Sequence, residues 1–196
     1  MSATHSDSDE DLALDAARGS RIAFEHLVLR YGGRVLSVLE RRLGHYHEAL
    51  DVSQDAWVRV FQALPRYRTG YSFRSWLFSI VLNGARDEWR RKHRSRLDYV
   101  DPLDCKATAS AQAKPQESQD EAQAIEHAIQ AVPEPYRTAL VLVDVEGLSY
   151  EECAHALKIA EGTAKSRVFR GRRIFRESYL RHRMPPNQSV RAEVQP

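Results

Sequence analysis

A chain of 196 residues with a formal net charge of +2 can hold one medium domain or two small ones. Near-neutrality hides segregation: His5–Asp15 is acidic, whereas Arg86–Arg96 and Lys165–Arg183 are basic, a distribution that points to nucleic acid more than the mean does. Cys105 and Cys153 lie far apart without paired ligand spacing, so neither a disulfide framework nor a zinc site is suggested. No apolar run reaches the length of a membrane span, and the N-terminus lacks the basic-then-apolar order of a signal peptide, so a cytoplasmic location is expected.

Residues 1–9 are polar and acidic and are expected to be disordered. A helix over about Glu10–Ala17 ends at Gly19. The next starts near Ser20 and buries Phe24, Leu27, Val28 and Tyr31. Gly32–Gly33 is expected to kink or break it before Val35, Val38, Leu39 and Leu43 continue the stripe to Gly44. A third helix, Glu48–Leu64, stops at Pro65 and turns Val52, Ala56, Val60, Phe61 and Leu64 inward. Asp51, Gln54, Asp55 and Arg59 then face outward, with Trp57 at the margin. After the Arg- and Tyr-rich loop Pro65–Tyr71, Ser72 caps a long helix to about Arg94 with Phe73, Trp76, Leu77, Ile80, Val81 and Gly84 inside.

The character then changes. Residues 97–120 have almost no apolar periodicity and read as a flexible linker between a first domain, 10–96, and a second, 121–182. The second opens on Ile125, Ala128, Ile129 and Val132, breaks at Pro133 and Pro135, and continues through an apolar helix, Tyr136–Val145, to Gly147. Ser149 and Glu152 form a capping box for a short helix, Tyr150–Leu157. A turn at Lys158–Gly162 leads into a second helix from about Thr163, with Ala164, Val168, Gly171 and Phe175 buried. Residues 183–196 read as a disordered tail. No segment alternates like a strand, so the fold class is all-α: two small helical domains, the second with a helix-turn-helix.

The second helix of that pair carries Lys165, Ser166, Phe169, Arg170, Arg172, Arg173 and Arg176 on its outer face, almost without acidic partners at helical spacing. A basic second helix after a tight turn suits a DNA major groove, and Phe169 suits a thymine methyl there. The first domain has a different chemistry. Around Arg66–Trp76, tyrosines 67 and 71, Phe73 and Trp76 alternate with Arg66, Arg68 and Arg74, and Asn83 and Arg86 follow on the helix. Rings for stacking and guanidinium groups for phosphates are what unpaired nucleic acid needs, at about 1–3 kcal/mol per stacked base. The same rings could instead seal a core corner; Phe73 fits that role, while Tyr67 and Tyr71 are expected to be exposed. No nucleophile–base arrangement is apparent, so neither catalysis nor a cofactor is expected.

The strings HEALDVSQDAWVRVFQALPRYR, GYSFRSWLFSIVLNGARD and LSYEECAHALKIAEGTAKSRVFRGRR, in this order, resemble bacterial RNA polymerase sigma factors of the extracytoplasmic-function type. The resemblance implies that Asp51, Gln54, Asp55 and Trp57 bind the clamp helices of the polymerase's largest subunit. It implies that Tyr67, Arg68, Tyr71, Arg74, Trp76, Asn83 and Arg86 read and help melt a −10 element. Thr163, Lys165, Ser166, Arg167, Phe169, Arg170 and Arg173 fall where such proteins read a −35 element as duplex. An anti-sigma protein is a further expected partner. Three departures are local: Asp55 stands where Glu is usual, Ala160 where Ser caps the recognition helix, and Lys158 at a turn position often held by Gly. The competing readings are a stand-alone helix-turn-helix regulator that binds duplex DNA without polymerase and, more distantly, a DNA recombinase.

Overall fold

Capping chemistry within a few residues sets most of the helix ends. Ser8 accepts the Asp11 amide at the head of α1 (Asp9–Ala17), and Ser20 accepts the Ala23 amide at the head of α2 (Arg21–Leu43). Gly44 closes α2 in the left-handed region at φ 77°. α3 (Tyr46–Ala63) tightens into a 3-10 turn, Leu64–Arg66, where Pro65 ends the helical ladder. Ser72 then accepts the Ser75 amide and starts α4 (Phe73–Arg94). The second half comprises α5 (Gln116–Gln130), α6 (Glu134–Leu140) with a following π-helical turn Val141–Val145, α7 (Tyr150–Leu157) and α8 (Glu161–Arg183). This computed structural model describes residues 8–94 and 116–183, and every regular element among them is helical.

Four expectations are corrected. The chain is helical from Asp9, within the expected acidic tail, whose residues 1–7 lie outside the described residues. α2 runs unbroken through Gly32 and Gly33. Two helical glycines cost about 1 kcal/mol each, and the continuous buried series Leu27, Tyr31, Val35, Val38 and Leu39 on both sides of them outweighs it. Phe61, expected inward, is 58% exposed on α3. α5 starts at Gln116, inside the expected linker 97–120, of which residues 97–115 lie outside the described residues, as does the tail from 184.

In the first half, α1, α3 and α4 pack around α2. Its largest fully buried side chains include Tyr31, Tyr67, Phe73 and Phe78, and the Tyr31 and Phe73 rings meet edge-on at 5.5 Å. Tyr31 and Arg30 both donate to the Asp9 carboxylate, which ties α1 to α2. Glu10 accepts the Phe73 amide at 2.9 Å and so caps the start of α4 from α1. In the second half α8 packs on α5, α6 and α7. Ala164, Val168 and Gly171 form its buried stripe as expected. Cys153 is fully buried, and burial pushes its thiol up to about 12, which makes it a core residue.

The two halves are joined by more than chain connectivity. α7 lies against α4, and α6 against α2. Phe73, Leu77 and Val81 fill the first half's own core, while Ser75, Phe78 and Leu82, on the face of α4 that meets α7, are also buried. One continuous apolar cluster therefore spans both halves.

The α6–α8 crossing depends on Gly171: a Cβ there would stand 3.0 Å from the Tyr136 carbonyl oxygen and 3.3 Å from the Leu140 Cβ. A Gly171→Val variant is expected to destabilise the second half by about 1–3 kcal/mol through overpacking. Thermal unfolding followed by circular dichroism checks this; an unchanged midpoint would contradict the close crossing.

Candidate nucleic-acid and protein interfaces

The helix-turn-helix forms as its capping box dictates. Ser149 Oγ accepts the Glu152 amide at 3.1 Å, and Glu152 accepts the Ser149 amide at 2.8 Å. The turn passes through Lys158 at φ 54°, the left-handed conformation that glycine adopts without strain. Ala160 offers no side-chain cap to α8, and Glu161 supplies an acidic group in the first turn instead. On the outer face of α8, Thr163, Lys165, Ser166, Phe169, Arg170 and Arg173 are exposed and Arg167 is half-buried. Phe169 is 71% exposed among these polar and basic residues, where nothing in the fold needs an aromatic.

The expected freedom of these cations from acidic partners does not hold throughout. Lys165 pairs with Glu161 at 2.7 Å, and Arg173 lies 3.9 Å from Glu177. Arg172 makes a two-pronged bond to Asp144, at 2.6 and 2.9 Å, that ties α8 to the π-helical turn. Arg170 donates to the Tyr136 hydroxyl at 3.3 Å. Exposed pairs of this kind are worth about 0–1 kcal/mol and yield readily to a phosphate.

The arginine–aromatic corner divides. Tyr67, expected to be exposed, is 2% exposed: its ring meets Phe73 at 6.0 Å and Trp76 at 5.1 Å, and burial pushes its hydroxyl up to about 12. It seals the core, because the 3-10 turn aims it under α4. Trp76 is half-buried in the same cluster. Tyr71 and Arg68 are exposed, Arg74 is half-buried, and half-buried Asn83 donates to the Ser79 carbonyl within α4. Arg86 belongs to α4, with its side chain outside the described residues.

On α3, Asp51, Gln54 and Asp55 are exposed, and half-buried Trp57 meets Phe24 edge-on at 6.0 Å. The same face continues through Val58 and Phe61, both more than half exposed. Spacings of three, seven and ten residues from Asp51 place them there, a signal present in the sequence but overridden by Phe61's hydrophobicity. Carboxylates at one end and apolar side chains at the other give a face suited to protein contact.

Region-to-region contacts concentrate beside the corner. Arg34 donates to the Glu146 carboxylate at 2.7 Å and to its carbonyl at 3.0 Å, and Arg74 donates to the same carbonyl at 3.1 Å. Ser72 donates to the Glu152 carboxylate. Ser75 Oγ donates to the Glu152 carbonyl at 2.9 Å and lies 2.9 Å from His155 Nδ1. The Tyr71 and His155 rings stack at 3.8 Å. Farther along, Arg42 pairs with Glu134 at 3.0 Å and Arg41 with Glu126 at 3.4 Å. None of these partners was foreseeable from local pattern.

A helix-turn-helix with an aromatic on its basic outer face, carried with a second helical unit bearing an arginine–aromatic corner, defines a two-part DNA-binding protein. The sigma-70 region 2 family matches residues 27–95, and the sigma-70 region 4 family matches residues 122–174. The ECF RNA polymerase sigma factor SigE of Mycolicibacterium smegmatis is 32% identical over 191 residues, covering 94% of this chain and 74% of that one. The RNA polymerase sigma-H factor of Pseudomonas aeruginosa is 34% identical over 175 residues, covering 85% and 91%. CnrH, solved with the cytosolic domain of CnrY, aligns at TM-score 0.62 and 28% identity over 87% of this chain and 96% of that one. RpoE of Bartonella quintana, solved with the anti-sigma factor NepR, shares the fold at TM-score 0.64 and 24% identity over 79% and 95%. The chain belongs to the sigma-70 family, in its extracytoplasmic-function group. It is a sigma factor, associated with RNA polymerase and directing it to promoters. No described helix is long and apolar enough to cross a membrane, and no described group of three or more His, Cys, Asp or Glu could hold a metal.

The seam should respond to acid. Burial, then the charge of Lys158, lowers the His155 pKa, so the docked halves favour the neutral ring. Burial would raise the Glu152 carboxyl, but hydrogen bonds from Ser72 and Ser149 outweigh it and hold the group low. Docking is therefore expected to weaken as pH falls below 6.5, the ordinary imidazole value, with a second loss below 4.5 as Glu152 protonates. Hydrogen exchange of the α7 amides follows both steps. His155→Gln should abolish the first; its persistence in that variant would contradict this assignment.

Proposed function

We propose that three surfaces divide the work of initiation. The α3 face of Asp51, Gln54, Asp55 and Trp57, extended by Val58 and Phe61, docks on the clamp helices of the polymerase's largest subunit. The corner of Arg68, Tyr71, Arg74 and Trp76, with Asn83 and Arg86, takes unpaired bases of the −10 element, and Tyr67 supports it from beneath. The outer face of α8, Thr163, Lys165, Ser166, Arg167, Phe169, Arg170 and Arg173, reads the −35 element as duplex. The observation that carries this division is Phe169, exposed on the basic face of a helix-turn-helix. DNA opening costs about 1.4 kcal/mol per base-pair step. A few bases stacked at about 1–3 kcal/mol each offset the nucleation of a bubble.

In this reading the chain itself catalyses nothing and needs no cofactor, the polymerase carries the chemistry, and the work is done in the cytoplasm. RpoE of Bartonella quintana has an anti-sigma partner, NepR; an analogous protein covering the α3 face and the corner is the regulatory partner expected here.

Core polymerase plus this chain on promoter libraries, scored for transcript starts, tests the proposal: specific starts should appear only with both components. Tight, sequence-specific duplex binding by the chain alone, without specific starts, would favour the stand-alone regulator. Asp51→Lys with Asp55→Lys is expected to weaken core polymerase binding at least about tenfold, roughly 1.4 kcal/mol. Duplex DNA binding by the full chain should be unchanged, and an equal loss of both would contradict the division of labour.

A further inference from the structure

We propose that His127 and His182 form a site for a divalent transition-metal ion, zinc by its geometry, that pins α5 to the last turn of α8. The inference does not depend on the sigma reading. The two residues come from different helices, and their ring centroids lie 5.4 Å apart at an interplanar angle of 48°. Zinc–nitrogen bonds of about 2.0–2.1 Å at a tetrahedral angle put the centres of two ligating imidazoles roughly 5 Å apart. A plain ring contact accounts poorly for the pair, because both residues are exposed and bury little apolar surface together.

His182 also has the second interaction typical of a metal ligand. Its Nδ1 lies 3.1 Å from the Ser178 carbonyl oxygen, which can only accept, so Nδ1 carries the proton. The neutral ring then keeps its lone pair on Nε2. The helix's own carbonyl sets the tautomer and the ring orientation, as a backbone oxygen does behind zinc-bound histidines. Among the described residues, no hydrogen bond occupies a ring nitrogen of His127.

The local field favours a cation. His127 stands in the last turn of α5 and His182 in the last turn of α8, so the negative ends of two helices meet at the pair. The flanking arginines are engaged elsewhere. Arg181 donates to the Glu177 carbonyl at 3.2 Å, and Arg183 donates to the Tyr179 hydroxyl at 3.2 Å and lies 3.8 Å from the Glu121 carboxylate. With two protein ligands, water completes the tetrahedron and the ion stays exchangeable. The metal adds a cross-link to the seam at which Tyr179 already donates to Glu121 at 3.0 Å. It lies about 18 Å along α8 from Arg170 and leaves the basic outer face free.

The test titrates zinc chloride into the untagged full chain near pH 7.5, where an ordinary imidazole is neutral. Imidazole resonances are followed by NMR and assigned with single variants. The His127 and His182 rings should shift together, with one midpoint. His127→Ala or His182→Ala should weaken binding at the remaining ring at least about tenfold, because the second ligand is no longer held beside the first. His26→Ala, which removes an exposed histidine of α2, should bind zinc like the wild-type chain. At free zinc about tenfold above Kd, the thermal midpoint of the wild-type chain should rise by roughly 3–5 °C, and that of either site variant should not. The proposal is overturned if only one of the two rings shifts, or if either ring binds zinc as tightly without its partner. A midpoint that stays fixed while both rings shift would also overturn it, since the ion would then pin nothing.

Discussion

Glu146 has lost nearly all contact with water, and a carboxylate so placed is tolerable only while donors and cations hold it. Desolvating one ion costs several kcal/mol even after relaxation, and the Arg34 guanidinium, paired with the carboxylate at 2.7 Å, offsets it, while Arg74 holds the Glu146 backbone carbonyl. The relation between the two halves depends on this arrangement. Wherever region 4 goes, Glu146 must be rehydrated, and the arginines must find another anion or water. The surrounding seam has the same exchangeable character: Arg42 with Glu134, the Arg137 guanidinium on the Arg42 carbonyl, Ser72 on Glu152. Each half, by contrast, is held by close apolar packing that offers no alternative partner. The seam therefore mixes exchangeable polar pairs with the buried apolar contact of Phe78 and Leu82.

The corner beside this seam shows how one aromatic cluster serves two purposes. Tyr67 meets Phe73 and Trp76 edge-on, Phe73 and Trp76 meet at a tilt, and the three rings give the loop a rigid floor. Glu10, reaching from α1, fixes the first amide of α4 on that floor. With the floor rigid, Tyr71 can stand clear of the core without the loop collapsing over it. A loop that positions side chains for recognition needs such support, because the entropy lost on ordering it at the moment of binding would otherwise weaken the contact.

What could be read from the sequence is what is decided within a few residues. The Ser149–Glu152 capping box, the Ser20 and Ser72 caps and the Gly44 stop are all found where local chemistry puts them, and Lys158 turns left-handed at the position where the family resemblance implied a glycine. The buried stripe of α8 follows from its 3.6-residue period. Expectations failed where tertiary packing outweighed local preference. Packing carried α2 across Gly32 and Gly33, and the aim of the 3-10 turn drew Tyr67 inside. Arg172 found Asp144 28 residues away. Arg34 and Glu146 are 112 residues apart, and no periodicity relates them. Phe61 was legible and misjudged, since its helical position already placed it on the Asp51 face.

α4 buries side chains on opposite sides, Leu77 and Val81 toward its own half and Phe78 and Leu82 on the face shared with Ser75. Parting the halves therefore wets apolar surface as well as breaking ion pairs, and wetting apolar surface raises the heat capacity. The balance between closed and parted chains is accordingly a curve in temperature. Closure is most favoured at an intermediate point and recedes on cooling as well as on heating, because the apolar contribution fades in the cold. The exposure of the corner at the start of α4 is thus coupled to temperature through the second buried face of a single helix.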